Sequence, residues 1–452
     1  MTNFLLLCHN ILWGIPGLTI IIGVGLYIGF RTRFVQLRFF PKAIKELVVS
    51  LRRDCAPGSI SPFQALCTAL AATVGTGNLV GVAGAICLGG PGAIFWMWIC
   101  GVMGMGLKFA ETVLAIRFRS VHGGARVGGP MYIIQNGMGS QWMPIAYAYA
   151  LFGLIASFGV GNATQINAVI GAVRSAAEFF GVVSSPRREL GIGILLAAAV
   201  GAVLLGGAKR IGQTAEKLIP LASMAYIFLC LWVLFRKRDA LLDAFQLIIK
   251  GAFSPEAVTG GIIGSSFTSL RVGCARGIFT NEAGMGTASM AHAGANVQHP
   301  AQQGLLGIVE VFIDTIVICT LTALVILASG IHIPYGTDAG GTLTSQAFAA
   351  VCGNWTGIFL ASALSCFAFA TVLGWGLYGI RCAQFLFRRD VALPFALCQT
   401  CCVVLAALLP TETLWKFAEV VNGAMAIPNL TALAFLSPEL CRLITEYERF
   451  SG

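Results

Sequence analysis

The chain has 452 residues, of which 57% are hydrophobic and only 11% are charged. Ordinary soluble domains are about 45–50% apolar and about 25% charged. A soluble chain of this length could not cover its surface with so few charges, and we therefore predict an all-α membrane protein. The formal net charge of +10 does not indicate a nucleic-acid partner, because the basic residues are scattered between apolar blocks.

Eleven apolar segments follow one another, and each is close to or longer than the roughly 20 residues that cross a bilayer core. The predicted spans are residues 11–30, 62–87, 92–117, 143–174, 190–206, 216–235, 259–292, 303–330, 355–387, 391–409 and 412–436. Turn-forming runs such as SSPRRE and HIPYGTDAGG separate them. The lipid bilayer is therefore an expected partner of the chain.

The distribution of lysine and arginine predicts how the spans are oriented. Seven basic residues lie in the first loop, from Arg31 to Arg53. If that loop is cytoplasmic, eighteen basic residues lie inside and eight outside, as the positive-inside rule favours, although the run at residues 236–238 opposes it. We predict a multi-pass protein of the plasma membrane, which is the inner membrane in a bacterium or archaeon. The N-terminus would lie outside and the C-terminus in the cytoplasm.

Two of the predicted spans are interrupted by glycine and polar residues. The second span contains AATVGTGNLVGVAGA at residues 71–85, where Gly75, Thr76, Gly77 and Asn78 are adjacent. The seventh span contains SLRVGCARGIFTNEAGMGTASMAHA at residues 269–293. A broken helix frees backbone N–H and C=O groups within the membrane. These groups must line a cavity or meet a ligand, because lipid offers them no partner.

The two interruptions divide the chain into related parts. Each begins a block of five spans, two to six and seven to eleven, and an odd number of spans inverts one block relative to the other. We therefore predict an extra N-terminal span and basic loop at residues 1–60, a first inverted repeat at 61–250 and a second at 251–452. Matching interruptions in two such halves are typical of the binding site of a transporter.

The chemistry of the first interruption suits a small zwitterion together with a cation. Half-helix N-termini offer N–H groups and a positive dipole end to a carboxylate, and freed carbonyls suit an ammonium group or a hard cation such as sodium. Gly75 and Gly77 allow a substrate to approach the backbone closely. Small residues also serve helix packing in membranes, which is our interpretation of Gly81 and Gly84. A phosphate-binding loop is disfavoured, since no lysine follows the glycines.

Several segments resemble the alanine-or-glycine:cation symporter family. They are FQALCTALAATVGTGNLVGVAGAI, GGPGAIFWMWICGVMGMGLKFAE, GCARGIFTNEAGMGTASMAHA, FIDTIVICTLTAL and FAFATVLGWGLYG, and they lie between residues 63 and 379. The resemblance implies a leucine-transporter-like fold, in which ten core helices form two inverted five-helix repeats, here with one extra N-terminal helix. It also implies sodium-coupled uptake of a small neutral amino acid, alanine or glycine.

The resemblance and the polar residues of the spans together predict a substrate site. By similarity to the family, the N–H groups of Thr76 and Gly77 would hold the substrate carboxylate. The fourth span would pass the substrate cavity, where its amide side chains would contact the substrate. Alternatively, these amides would bond neighbouring helices. An aromatic side chain in the ninth span would limit substrate size, or would serve packing. The predicted substrate-binding residues are Gly75, Thr76, Gly77, Asn78, Asn162, Asn167 and Trp375.

The resemblance also implies a sodium site, and no metal beyond sodium is expected. The backbone carbonyls of Ala71 and Val74, with the hydroxyl of Thr371, would be its ligands. This sequence departs from the family at Ala370, where members often carry a hydroxyl side chain. Losing that oxygen would weaken sodium binding or favour protons. Proton coupling is therefore the alternative to sodium coupling.

Charged residues within the spans are expensive and are therefore functional candidates. Glu310 and Asp314 lie four residues apart, so they share one helix face. Arg276 and Glu282 lie around the second interruption. We predict gating or structural roles for Arg276, Glu282 and Asp314, either at the break or in an interior salt bridge that Arg271 or Arg276 would make with a carboxylate.

Two further classes of function are considered. An intramembrane hydrolase would need a motif such as HExxH or GxSxG, and neither occurs in the sequence. We therefore do not expect an enzyme. A channel stays an alternative. Saturable uptake that requires an ion gradient would exclude a channel. The preferred amino acid, the coupling stoichiometry and the oligomeric state are not determined by these patterns.

Overall fold

The computed structural model of the chain describes residues 2–52, 59–122, 124–179, 181, 185–337, 340–408 and 412–451. This part of the chain is built almost entirely of α-helices. One antiparallel hairpin joins the strands β1 (Ser120–His122) and β2 (Ala125–Val127). The prediction of an all-α protein is confirmed.

In the described ranges, twelve of the helices precede residue 240. They are α1 (Thr2–Leu12), α2 (Ile15–Arg31), α3 (Val35–Arg38), α4 (Phe40–Ser50), α5 (Pro62–Thr73), α6 (Val82–Gly89), α7 (Ala93–Arg117), α8 (Pro130–Gly137), α9 (Met143–Phe158), α10 (Thr164–Phe179), α11 (Pro186–Leu204) and α12 (Gly207–Arg236).

Among the described residues after position 240, there are eleven more helices. They are α13 (Leu241–Phe253), α14 (Pro255–Thr259), α15 (Ser266–Asn281), α16 (Thr287–His292), α17 (Pro300–Val311), α18 (Thr320–Ala328), α19 (Gly340–Cys352), α20 (Trp355–Phe387), α21 (Ala392–Ala406), α22 (Glu412–Phe435) and α23 (Ser437–Ser451).

Three stretches between these helices are wound more widely, as π-helix. They are Gly77–Gly81 before α6, Gly159–Ala163 between α9 and α10, and Phe312–Cys319 between α17 and α18. Short 3₁₀ turns occupy Ser140–Trp142 and Arg238–Ala240. π-Helical turns are rare and often mark functional sites.

In the described part of the chain, six helices are long and apolar enough to cross a membrane. Two bent pairs raise the number to eight: Pro62–Thr73 with Gly77–Gly89, bent by 51°, and Phe417–Phe435 with Ser437–Phe450, bent by 61°. The first bent pair is the interrupted second span. A multi-pass arrangement results, while the count of eleven spans stays a prediction.

The beginning of α5 is defined by local sequence. The Ser61 hydroxyl accepts a hydrogen bond from the Gln64 N–H at 3.0 Å, and the Gln64 side chain accepts one from the Ser61 N–H at 3.2 Å. Pro62 occupies the first helical position, where its missing N–H costs nothing. This capping box determines where the helix starts.

Helix packing brings the two broken segments side by side. The half-helix α5 packs against α16, and α6 packs against α15. Helix α7 runs along both α15 and α16 and also contacts α17, while α20 packs across α5. A Cβ atom on Gly374 of α20 would lie 3.0 Å from the Cβ of Ala72, so glycine permits this close approach. The break between α5 and α6 and the break between α15 and α16 therefore lie beside each other in the interior.

We expect Gly273→Ala to destabilise the fold by about 1–3 kcal/mol, the usual cost of overpacking. The added Cβ would lie 2.2 Å from the carbonyl oxygen of Ala93 and would force α15 away from α7. Gly277→Ala is the matched control one turn later, because its Cβ would meet Met97 at an ordinary 3.4 Å. Thermal unfolding of the purified proteins checks this, and equal midpoints for the two variants would contradict the close contact.

Candidate functional site

The first break lies between Thr73 and Gly77. Val74 leaves the helix with an extended backbone, at φ −74° and ψ 106°. Its N–H still donates to the Leu70 carbonyl at 2.8 Å. In the described structure, the N–H groups of Thr76 and Gly77 donate to no backbone carbonyl outside the helices. Gly77 is also partly accessible. Two donors at a half-helix N-terminus are thus available to an anion.

The same break frees carbonyl oxygens at the end of α5. In a continuous helix, the carbonyls of Ala71 and Val74 would accept from the N–H groups of Gly75 and Asn78. Instead, the Gly75 N–H donates to the Asn78 side-chain oxygen at 2.8 Å, and the Asn78 N–H donates to the Gly75 carbonyl at 3.3 Å. The Ala71 and Val74 carbonyls are therefore left for another partner.

Asn78 connects the first break to the wide turn of residues 312–319. While its Oδ1 accepts from Gly75, its Nδ2 donates to the Asp314 carboxylate at 2.7 Å and to the Asp314 carbonyl at 3.1 Å. The other Asp314 oxygen accepts from the Thr315 hydroxyl at 2.9 Å. Asn78 and Asp314 are both fully buried. Asn78 thus shapes the break through its amide oxygen, while its amide nitrogen is held in place by Asp314.

Side chains from α10 and α20 approach the same break. The position of a Cβ on Gly75 would lie 3.0 Å from the Thr371 hydroxyl and 3.7 Å from Gln165 Oε1. The Thr371 hydroxyl donates to the Phe367 carbonyl at 3.0 Å, so its oxygen lone pairs stay available. The structure therefore places the predicted sodium ligand Thr371 beside the end of α5. It also brings in Gln165, an amide of the fourth span that was not among the predicted substrate-binding residues.

The second break, at residues 282–286, is held by a carboxylate from α7. Glu111 accepts hydrogen bonds from the N–H groups of Gly284 and Gly286, at 2.8 and 3.1 Å, and from the Asn429 amide at 2.8 Å. Both glycines have positive φ, +90° and +77°. A Cβ on Gly286 would lie 2.3 Å from Pro130, so glycine is required there. An anion at two N–H groups stabilises the unwound turn.

Glu282 shapes the turn from within. It has a left-handed backbone, with φ 53°, and its carboxylate accepts from the Thr287 hydroxyl at 2.6 Å, at the start of α16. Next to it, Asn281 accepts from the Ala283 N–H at 3.0 Å and donates to Thr315 at 3.2 Å. These contacts join Glu282 to α16, and its gating or structural role stays a prediction.

The two breaks face each other through Thr280. A Cβ on Gly77 would lie 3.1 Å from the Thr280 hydroxyl and 3.3 Å from its methyl group. The Thr280 hydroxyl itself donates to the Arg276 carbonyl at 2.8 Å. Only a narrow space separates Gly77 from α15. No local pattern marked Thr280, because its importance comes from the opposite helix.

The two asparagines of the fourth span point elsewhere. Asn162 donates to the Gln399 carbonyl at 2.9 Å, and Asn167 donates to the Ala406 carbonyl at 2.8 Å, so both bind α21. Trp375 is fully buried and packs against Gly161, whose Cβ would lie 2.2 Å from the Trp375 Cβ. The contacts are those of helix packing, and a substrate role for these three residues stays a prediction.

Arg276 lies away from the breaks, near the N-terminal helices. Its guanidinium is 3.8 Å from the Glu419 carboxylate, which also contacts the His9 ring at 3.0 Å. Trp13 donates to the Glu419 carbonyl at 2.8 Å and packs edge-on against Phe279. The charged pair thus bridges α15 and α22 beside α1. A gating role for Arg276 stays a prediction.

Glu310 does not pair with Arg271 or Arg276, the partners considered from the sequence. It binds Lys108 of α7, with Nζ 2.9 Å from Oε1, and His292, with Nε2 3.0 Å from Oε2. Lys108 and Glu310 are both buried. They are 202 positions apart in the chain, so no spacing rule could have joined them.

The sequence matches the profile of the sodium:alanine symporter family over residues 1–451. The chain belongs to this family. Among its relatives, the sodium/alanine symporter AgcS of Methanococcus maripaludis is 39% identical over 434 residues, 95% of this chain and 93% of that one. The probable sodium/glutamine symporter GlnT of Bacillus subtilis is 35% identical over 448 residues, 98% of this chain and 90% of that one. This symporter is a transporter and not an enzyme.

Comparison of structures identifies the fold. The crystal structure of MhsT in complex with L-phenylalanine matches with a TM-score of 0.58 at 14% identity. The match covers 83% of this chain and 88% of MhsT. MhsT has a leucine-transporter-like fold, and this symporter shares it. The predicted family and the leucine-transporter-like fold are confirmed, while the eleven spans and the two inverted repeats stay predictions.

We predict that Asn78→Asp alone destabilises this symporter strongly and that Asp314→Asn restores it. The single variant places two buried carboxylates together without a donor between them, and an unpaired buried charge costs about 3–5 kcal/mol. In the double variant, the new carboxylate at position 78 accepts from the Gly75 N–H and from the new amide at position 314. Thermal unfolding of the parent, both singles and the double checks this. A double variant no more stable than Asn78→Asp would contradict the assigned hydrogen bonds.

Proposed function

We propose that this symporter couples the inward movement of sodium to the uptake of a small neutral amino acid, alanine or glycine. The observation that carries the proposal is the first break, which combines free N–H donors at Thr76 and Gly77 with freed carbonyls at Ala71 and Val74. Donors for a carboxylate and oxygens for a cation then lie within a few residues of one another. AgcS, named as a sodium/alanine symporter, supports the choice of sodium and of alanine.

The amino acid would bind with its carboxylate on the N–H groups of Thr76 and Gly77. Gly75 and Gly77 let it approach the backbone, and Thr280 on the opposite helix leaves little room beside Gly77. Gln165, whose Oε1 is 3.5 Å from the Thr76 hydroxyl, adds a polar wall. This narrow space favours a substrate with a hydrogen or methyl side chain.

The remaining predicted substrate residues act around this centre. Asn78 shapes the binding turn through Gly75 and Asp314. Trp375, one turn after Thr371 on α20, would close the cavity and limit substrate volume. Asn162 and Asn167 would fix α10 against α21, so that Gln165 faces the break.

Sodium would bind to the carbonyls of Ala71 and Val74 and to the Thr371 hydroxyl. These are the hard oxygen ligands that an alkali cation takes in place of water. Ala370, buried beside Thr371, adds no oxygen. Proton coupling is therefore the second candidate, and a relative from Bacillus subtilis is named as a putative sodium/proton-dependent alanine carrier, 33% identical over 467 residues.

In the membrane, we propose eleven spans in two inverted repeats, residues 61–250 and 251–452, after an extra N-terminal span. The pairing of α5 with α16 and of α6 with α15 supports this symmetry. The positive-inside count supports a cytoplasmic C-terminus and an outer N-terminus in the inner membrane. In this orientation, Arg276 and Glu419 would form an outer gate.

The decisive measurement is uptake of labelled alanine and glycine into proteoliposomes under an imposed sodium or proton gradient. We expect saturable uptake driven by sodium, with alanine and glycine competing more strongly than leucine. Uptake driven by a proton gradient alone would favour the second candidate. Uptake that does not saturate would indicate a channel, and uptake indifferent to both gradients would contradict the proposal.

We expect Gly77→Ala to abolish alanine binding while the protein stays folded. The added methyl group would lie 3.1 Å from the Thr280 hydroxyl, in the space where the carboxylate must approach. Gly81→Ala is the matched control, because its Cβ would meet Thr280 at a relaxed 3.9 Å. Alanine should raise the unfolding temperature of the parent and of Gly81→Ala but not of Gly77→Ala. Protection of all three proteins would place the substrate elsewhere.

A further inference from the structure

A row of hydrogen-bonded, buried polar side chains, apart from the proposed substrate site, ends at the beginning of α5. Lys108 contacts Glu310, and Glu310 contacts His292. The other ring nitrogen of His292, Nδ1, is 2.7 Å from the Gln303 amide nitrogen. That amide nitrogen also lies 3.2 Å from the carbonyl oxygen of Pro62. The proposed binding of amino acid and sodium uses none of these contacts.

The chemistry of the groups determines where the hydrogen atoms lie. The Pro62 carbonyl can only accept, so the atom of Gln303 that faces it must be the NH₂ group. Its second hydrogen then points to His292 Nδ1, which must accept. A ring that accepts at Nδ1 is neutral and carries its hydrogen at Nε2. This hydrogen is donated to Glu310, whose negative charge Lys108 balances.

We propose that His292 is a proton-binding site that controls the cytoplasmic end of α5. Binding a proton turns Nδ1 into a donor that faces the NH₂ group of Gln303, and two donors repel at this distance. Gln303 can relieve this repulsion by turning its amide to present Oε1 to Nδ1. This oxygen has no hydrogen-bond partner in the described structure. The Pro62 carbonyl then keeps only its bond within α5, from the Leu66 N–H, and loses its donor on α17. Protonation of one ring therefore unties the beginning of α5 from α17.

The released segment is part of a closed contact between the two broken spans. Ile60, just before α5, pairs with Ala295, just after α16, and the Asn296 N–H donates to the Ile60 carbonyl at 3.0 Å. With Pro62 bound to Gln303, both sides of this contact are tied together. Without that bond, α5 is free to move at this end, on the side where the proposed orientation places the cytoplasm. Acid on that side should therefore favour opening.

The surroundings of His292 can accommodate a second positive charge beside Lys108. Glu310 accepts from both cations, and Glu111 and Glu282 also lie within electrostatic reach of Lys108. In the described structure, the His292 ring bonds only to Glu310 and Gln303. Other titratable groups on the helices packed against α16 are Cys67 of α5, Cys100 and Arg117 of α7, Tyr132 of α8, and Cys366, Tyr378, Arg381 and Cys382 of α20.

Hydrogen–deuterium exchange of the full-length protein in lipid tests the proposal at about pH 7.5 and about pH 5.5, after correction for the intrinsic pH dependence of exchange. The informative amides are those of Ala65, which bonds the Ser61 carbonyl, and of Asn296, which bonds Ile60. In the parent we expect protection at both to fall roughly fivefold in acid, the effect of losing one hydrogen bond. Equal protection at the two pH values would overturn the proposal.

Three variants identify the group that takes the proton. His292→Gln can still donate to Glu310 but does not titrate, so its exchange should no longer respond to pH. Gln303→Leu never holds Pro62, so its protection should be low at both pH values. His122→Gln, on the hairpin between α7 and α8, is the matched control and should keep the parent's response. A response that persists in His292→Gln, or unchanged protection in Gln303→Leu, would overturn the proposal.

The biological meaning of this site rests on the proposed function, but the exchange measurement does not. If no ion gradient drives amino-acid uptake, the proposed function fails and the exchange result still stands. If uptake is normal and exchange does not respond to pH, only the role of His292 fails. The two outcomes are therefore separable.

Discussion

The structure depends on one constraint, which is that a helix broken inside a membrane must find partners for the backbone groups it frees. Asn78 satisfies this constraint at the first break. Its amide accepts from Gly75 and donates to Asp314, so one side chain both shapes the turn and anchors it to a helix more than two hundred residues away. The groups it leaves free at Thr76, Gly77, Ala71 and Val74 are then available to ligands, because lipid cannot satisfy them.

The second break uses a charge for the same purpose. Glu111 from α7 accepts two backbone N–H groups and the Asn429 amide, which stabilises a turn that glycine alone would leave mobile. Burying carboxylates is expensive unless they are paired or hydrogen-bonded. Here α7 supplies both a carboxylate for the break and Lys108 for Glu310. One helix thus binds both the second break and the neighbouring α17.

The two ends of the broken spans are closed in different ways. On the side of α6 and α15, Arg276 and Glu419 form a loose pair, 3.8 Å apart and partly exposed. On the side of α5 and α16, hydrogen bonds and a backbone bridge hold the segments together, and the buried His292–Gln303 pair reaches into this contact. An exposed ion pair contributes little stability, whereas a buried network is strong only while every member is satisfied. A single proton can therefore weaken the second closure.

The sequence alone determined the membrane class, the family and the position of the first break, because hydropathy, glycine and local motifs are read along the chain. It could not determine which side chains face the break. Gln165, which follows the π-helical turn at Gly159–Ala163, faces Gly75, while Asn162 within that turn and Asn167 after it bond to α21. Partners such as Thr280 with Gly77, or Lys108 with Glu310, come from different helices. Only tertiary packing decides them, because their contacts depend on distance in space and not on spacing along the chain.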